Sequence, residues 1–346
     1  RARGRQPGAG QAGRTDESHR RGRGVGDRGH AGKTVTEANS LGMPAVWRAV
    51  NLIAGTLVGS IFVIGKLLMN QGLSPVAVSF FQVIGAASVV VTLVAVRGQR
   101  LPTDPAALRF FAIAALIAVS ASAVVGNWVL ARIPAGIFTV VVTLSPLFTS
   151  LFQALVQRKL PPRNALIGTG LGLLGVSLVL LPRAQSVDSE QGLALMVALA
   201  VPVLLAAGNV YRSRYWPAGM DAPTSTAGTM ALQALMLVPL FFSGDAMASL
   251  PHAVALWPLV LLMIVITVAA NVSAAALQRV ADSVAYSQIG YVIALTGVVA
   301  GAWLFGESLG WTLLPALVLV FSGVLLANRP AKPRATEHVG AMAEAA

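Results

Sequence analysis

The side chains that most often make and break bonds are scarce in this chain and are not spaced for it. No Ser/His/Asp set, HExxH segment or pair of neighbouring carboxylates inside an apolar stretch occurs. The four histidines, His19, His30, His252 and His338, offer no pair at metal-ligand spacing, and there is no cysteine to supply a disulfide or thiolate. An enzyme, a metal site and a resident cofactor are therefore not expected. Gly170-x-Gly172-x-x-Gly175 matches the dinucleotide fingerprint by letter. That motif needs a strand before it and an acidic residue about 20 positions after it, and neither context is present.

What does recur is a set of amides, hydroxyls and rings set in long apolar stretches. They include Asn127, Trp128, Thr143, Asn271, Gln288 and Tyr291, with Ser145, Asn209, Tyr286 and Gln233 in similar settings. Their chemistry is recognition: aromatic faces with a few orienting hydrogen bonds suit a small amphipathic solute. The plainer role for any one of them is a hydrogen bond between helices.

The elements that carry these residues follow from composition. The 346 residues are 55% apolar and 11% charged, and the mean hydropathy is +0.73, which suits a chain dissolved in lipid rather than water. A hydrocarbon core about 30 Å thick needs roughly 20 apolar residues per helical crossing. Such runs extend over 47–69, 75–96, 110–130, 133–156 and 164–181, then over 193–211, 224–242, 256–277, 284–305 and 311–327. Alternating strand periodicity is absent, so helices are the spanning solution. The expected fold is an all-α, polytopic membrane protein of ten helices.

Charge sets the expected orientation. Residues 1–44 form a Gly- and Arg-rich leader holding nine of the 25 Lys and Arg, without aromatics, and disorder rather than nucleic-acid binding is expected of it. The chain begins with Arg1, and Met43 immediately precedes the first run; translation from Met43 is one expectation, a cleaved targeting segment the other. Of the 15 Lys and Arg beyond Arg48, twelve fall on the side of the N-terminus and three, Lys66, Arg132 and Arg183, on the other. The positive-inside rule then puts both termini, including the tail 329–346, in the cytoplasm.

Leu130-Ala131-Arg132-Ile133 and Leu277-Gln278-Arg279-Val280 stand 147 positions apart, each closing the third run of a set of five. Five runs per copy force the second copy to enter the membrane from the opposite face, giving an inverted repeat, 45–184 and 190–328. This plan resembles the EamA family of the drug/metabolite transporter superfamily. The marks are Gly72-Leu73-Ser74-Pro75, Ser145-Pro146, Ala231-Leu232-Gln233 with Pro239, and Phe305-Gly306-Glu307-Ser308-Leu309. Departures are Gln82 where the family usually has arginine, and Arg158 where the closing motif of the first half would have glutamate.

The resemblance implies a secondary transporter, an exporter in the cell membrane (the inner membrane of a bacterium), that moves a small metabolite, amino-acid-like or amphipathic compound by alternating access. It implies a central cavity among the first, third, fourth, sixth, eighth and ninth helices, with Asn127, Trp128, Thr143, Asn271, Gln288 and Tyr291 as solute ligands. Its partners would be the solute and the bilayer. A homodimer is compatible with the plan, but no residue pattern supports it. Lys66 could snorkel to the headgroups or attract an anion, and Glu307 could be a solvated turn residue or a proton-responsive gate. Pro146 and Pro202, with Pro315, are the expected hinges. Gly55/Gly59, Gly168/Gly172 and Gly297/Gly301 are expected at helix contacts. The alternative reading is a non-transporting integral membrane sensor or scaffold, which a packed, dry centre would favour.

Overall fold

A computed structural model describes residues 45–160, 163–184, 189–242, 244–280, 286–287, 289–307 and 310–327. The chain divides into Arg1–Arg48 and Ala49–Ala346. Only Ala45–Arg48 of the first unit is described, and all packing below concerns the second. The leader, Met43, the C-terminal tail and Gln288 lie outside the described residues.

The described residues are helical with no strand among them. Their helices are α1 (Ala45–Asn70), α2 (Pro75–Val96), α3 (Pro105–Ala114), α4 (Ala121–Arg132), α5 (Ala135–Val142), α6 (Ser145–Val156) and α7 (Arg163–Ala184). Then follow α8 (Ser189–Ala198), α9 (Ala200–Tyr215), α10 (Ala222–Phe242), α11 (Leu250–Ala255), α12 (Trp257–Val280), α13 (Ile289–Phe305) and α14 (Leu313–Ala327). The described residues of the ten apolar runs are mostly helical. Six helical stretches are long and apolar enough to cross a membrane, and four shorter apolar helices accompany them. Large apolar side chains face outward, among them Leu235, Leu261, Val265 and Leu295. Trp257, Trp303 and Trp311 are exposed at helix ends, as interfacial tryptophans are.

Three runs are interrupted. The third passes through a π-helical turn, Ala115–Ser120, between α3 and α4. The fourth breaks at Thr143-Leu144, between α5 and α6, where Pro146 stands in the first turn of α6 and has no N–H to continue the ladder. The sixth breaks at Leu199, with Pro202 in the first turn of α9.

Glycines set the closest approaches. A Cβ on Gly55 or Gly59 of α1 would collide with Val292 and Thr296 of α13. One on Gly323 of α14 would strike the Gly168 carbonyl of α7, and one on Gly297 of α13 would strike Thr139 of α5. Further pairs are α2 with α10, α6 with α9, α2 with α12, and α10 with α3 and the π turn. Exchanging the first five runs for the last five maps this pattern onto itself. The second-on-seventh, fourth-on-ninth and fifth-on-tenth contacts map onto themselves. The second-on-eighth contact maps onto seventh-on-third, and first-on-ninth onto sixth-on-fourth.

The turns into α2 and α10 repeat one device. Gly72 and Gly219, 147 positions apart, both take positive φ, 100° and 78°. Two residues on, Ser74 accepts from the Ala77 N–H at 3.2 Å and Asp221 from the Thr224 N–H at 2.9 Å. Both are N-caps of helices with proline in the first turn. Asp221 also accepts from Gln99 Nε2 at 3.1 Å. Partial burial pushes its pKa up, but the bonds from Thr224 and Gln99 and the charge of Arg279 outweigh this and leave it below the ordinary aspartate value. A depressed carboxylate pKa contributes stability that is present above the unfolded-state value and is lost as pH falls through the folded-state value. Asp221→Ala is therefore expected to cost about 1 kcal/mol at neutral pH and to flatten the acid limb of the thermal-unfolding profile; an unchanged profile would remove Asp221 as a cap.

Candidate functional site

Two features stand at opposite ends of the α5/α13 contact. The first surrounds the turn Ile133-Pro134, which joins α4 to α5. A helix ends with unpaired carbonyls and begins with unpaired N–H groups, and Pro134, the N-cap of α5, makes no side-chain cap bond. Both deficits are met from elsewhere in the chain. Lys66 Nζ, from α1, donates to the carbonyls of Leu130 at 2.6 Å, Ile133 at 3.0 Å and Ala131 at 3.4 Å. Glu307, just after α13, accepts from the Ala135 N–H at 2.6 Å and the Gly136 N–H at 2.9 Å, one bond to each carboxylate oxygen. A cation on the carbonyl end and an anion on the N–H end both agree with the helix dipoles. The half-buried side chains of Lys66 and Glu307 thus clamp one turn, rather than facing headgroups or solvent alone.

Beside this clamp, Arg132 lies over the Trp128 ring, 4.1 Å from its centroid, and its Nε is 2.7 Å from Glu190. Below the clamp comes a packed layer: Gly297 against Thr139, and Phe62 against Phe138 edge to face with centroids 5.1 Å apart.

Beyond that layer is the second feature, a cavity of about 90 Å³. It is walled by Val58 and Phe62 of α1, Val142 and Ser145 at the α5/α6 break, Leu205, Asn209 and Arg212 of α9, and Tyr286, Ser287, Ile289, Gly290 and Ile293 in and just before α13. The broken fourth run positions Ser145: without the interruption at Thr143-Leu144, its backbone would be closed by a regular ladder. Apolar side chains make most of the wall. The polar groups are Ser145, Asn209, Arg212, Tyr286 and Ser287. The Arg212 guanidinium faces the Tyr286 ring, 5.9 Å from its centroid, and its buried Nε has no hydrogen-bond partner among the described residues.

The residues favoured from sequence are placed elsewhere. Asn127 is buried and donates to Ser79 Oγ at 2.9 Å, while Asn271 donates to the Thr267 carbonyl of its own helix at 2.9 Å. Thr143 is fully buried, its hydroxyl spent on the Val140 carbonyl at the helix break. Tyr291 turns its ring to Phe321 of α14, centroids 5.5 Å apart, with a buried hydroxyl lacking a partner among the described residues. None of these five, counting Trp128, lines the cavity. Ser145, Asn209 and Tyr286 do, and were legible as polar positions in apolar runs. Arg212 is one of the twelve Lys and Arg on the side of the N-terminus, and its one further signal is its place a helical turn after Asn209.

Comparison with solved structures gives, among others, a protein crystal structure that superposes with a TM-score of 0.57 at 17% identity. The match covers 81% of this chain and 96% of that one, and at this identity it supports the fold alone. Comparison with curated proteins gives no match. The family model of the EamA-like transporter family matches residues 47–181, which hold α1 to α6, most of α7, the clamped turn and Ser145. Residues 47–181 are thus an EamA domain, of a family within the drug/metabolite transporter superfamily.

Proposed function

We propose that the chain is a ten-helix secondary transporter, two inverted five-helix halves moving a small amphipathic metabolite by alternating access, with export as its direction. The observation that carries this reading is a cavity between the first, fourth, sixth and ninth runs, two from each half, closed at one end by the Lys66/Glu307 clamp. The contact pattern that survives exchange of the halves, and the paired Gly72/Gly219 turns, support the repeat. The twelve-to-three distribution of Lys and Arg supports cytoplasmic termini, a clamp on the outer side and a cavity on the inner side. In this arrangement the solute sits beside Ser145, Asn209 and Tyr286. Asn127 and Trp128, near the clamp, belong to the part of the path uncovered when the clamp opens. Pro146 and Pro202, at the breaks of the fourth and sixth runs, are the hinges.

The test is uptake by proteoliposomes of a metabolite and drug panel, with and without a proton gradient, for wild type, Asn127→Ala and Tyr286→Phe. Wild type is expected to take up at least one compound, with both variants slower. Folded wild-type protein that takes up none would favour a non-transporting sensor or scaffold, and unchanged rates in both variants would reject the path.

A further inference from the structure

The cavity is asymmetric in charge. Among its described lining residues Arg212 is the one charged side chain, and none is acidic. Most groups around it are apolar: Val58, Phe62, Val142, Leu205, Ile289 and Ile293. A guanidinium is always charged and carries five donors in a planar fork, so leaving it in such a setting without an acceptor is costly. Arg132, by contrast, pairs with Glu190. Arg212 instead has a ring beside it and an unpartnered Nε.

We infer that the cavity is a site for a small amphipathic monocarboxylate, its carboxylate held by Arg212 and its short apolar body among Phe62, Leu205, Ile289 and Ile293. The inference rests on the proposed transport function for its purpose, though not for the binding itself. A carboxylate accepts two parallel N–H bonds from the guanidinium fork, which satisfies the buried donor and neutralises the charge in one step. Ser145 and Asn209 lie on the same wall, where their polar groups orient the head. A zwitterion fits less well, because no carboxylate among the described lining residues meets an ammonium group. Size sets a second limit. One water needs about 10–15 Å³ of cavity space, so a 90 Å³ cavity holds a solute of about six to nine heavy atoms, which selects a few-carbon body.

The probe is 3-methylbutanoate, with 3-methylbutanamide as its uncharged isostere. Calorimetric titration of the full chain in nanodiscs is expected to show the acid binding about tenfold or more tighter than the amide. Arg212→Gln is expected to abolish that preference, and Arg212→Lys, which keeps charge without the fork, to retain part of it. As a readout independent of the Arg212 variants, Ser145→Cys introduces a single thiol into a chain that has none; the acid, not the amide, is expected to slow its maleimide labelling. Equal binding of acid and amide, binding of neither, or a preference that persists in Arg212→Gln would overturn the assignment. Uptake of the same pair by proteoliposomes separates the two claims. Arg212-dependent binding without uptake of any solute would leave the anion site standing and reject transport. Uptake indifferent to charge and to Arg212 would do the reverse.

Discussion

Glu307→Ala is expected to expose the half of the fourth run that lies next to the clamp. The carboxylate supplies two charge-assisted bonds to the start of α5, at Ala135 and Gly136, and no other side chain caps that end. Bonds of this kind contribute about 1.5–3 kcal/mol each, and a loss of even 1.4 kcal/mol from one conformer changes a two-state ratio by about tenfold. Thr139→Cys places a near-isosteric reporter directly below the clamp, at a fully buried position, in a chain with no other thiol. Its labelling by a membrane-impermeant maleimide applied from the outside is expected to be slow, and to rise about tenfold when Glu307→Ala is added. Glu307→Gln, which keeps the acceptor oxygen but loses the charge, should fall between. Equal labelling in all three would mean that the clamp fixes a turn but guards no path.

The second large effect is steric. Gly297 admits Thr139 so closely that a methyl group would overlap its Oγ1, Cγ2 and Cβ. Overpacking of this kind costs about 1–3 kcal/mol when a side chain can yield, and Thr139 is fully buried with its hydroxyl bonded to the carbonyls of Ala135 and Gly136. Gly297→Ala is expected to lower the thermal midpoint of the purified protein, and Gly297→Val to prevent accumulation of folded protein. Thr139→Ala removes two of the three overlapping atoms, so the Gly297→Ala/Thr139→Ala double variant should regain part of the loss, a non-additive cycle. Strict additivity would show that α13 simply moves away from α5.

The helical plan was legible because the bilayer imposes a length: runs such as 75–96 and 256–277 carry their own limits in composition. Glycine spacing was equally readable, since close helix approach needs a missing Cβ, and Gly55, Gly59 and Gly297 all stand at such contacts. The proline-marked breaks near Pro146 and Pro202 could be anticipated in place. The π turn at Ala115–Ser120 could not, because ALIAVS carries no residue that forbids a regular helix. The site was less legible. Lys66 and Glu307 meet on a single turn only through the packing of the first, third, fourth and ninth runs, and residues so distant in sequence share no local pattern. Asn127 and Thr143 looked like solute ligands for the same reason that makes them good structural bonds: a polar group in an apolar run must satisfy itself on whatever is near.

Among the described residues, the first half places no carboxylate at the position that matches Glu307. Arg158 stands there in place of the glutamate, in left-handed backbone at φ 53°, and Leu160, two residues on, is an apolar side chain 94% exposed. On the transport reading, the two conformers of the cycle then rest in wells of unequal depth, the deeper one latched on the outside. Dwell time accumulates there, and the step that limits turnover is the unlatching of Ala135 and Gly136 from Glu307. On that reading a charge change at Glu307 should alter the speed of the whole cycle, whereas one at Arg158 should leave it nearly unaltered. The molecule behaves as a door with a catch on one side only.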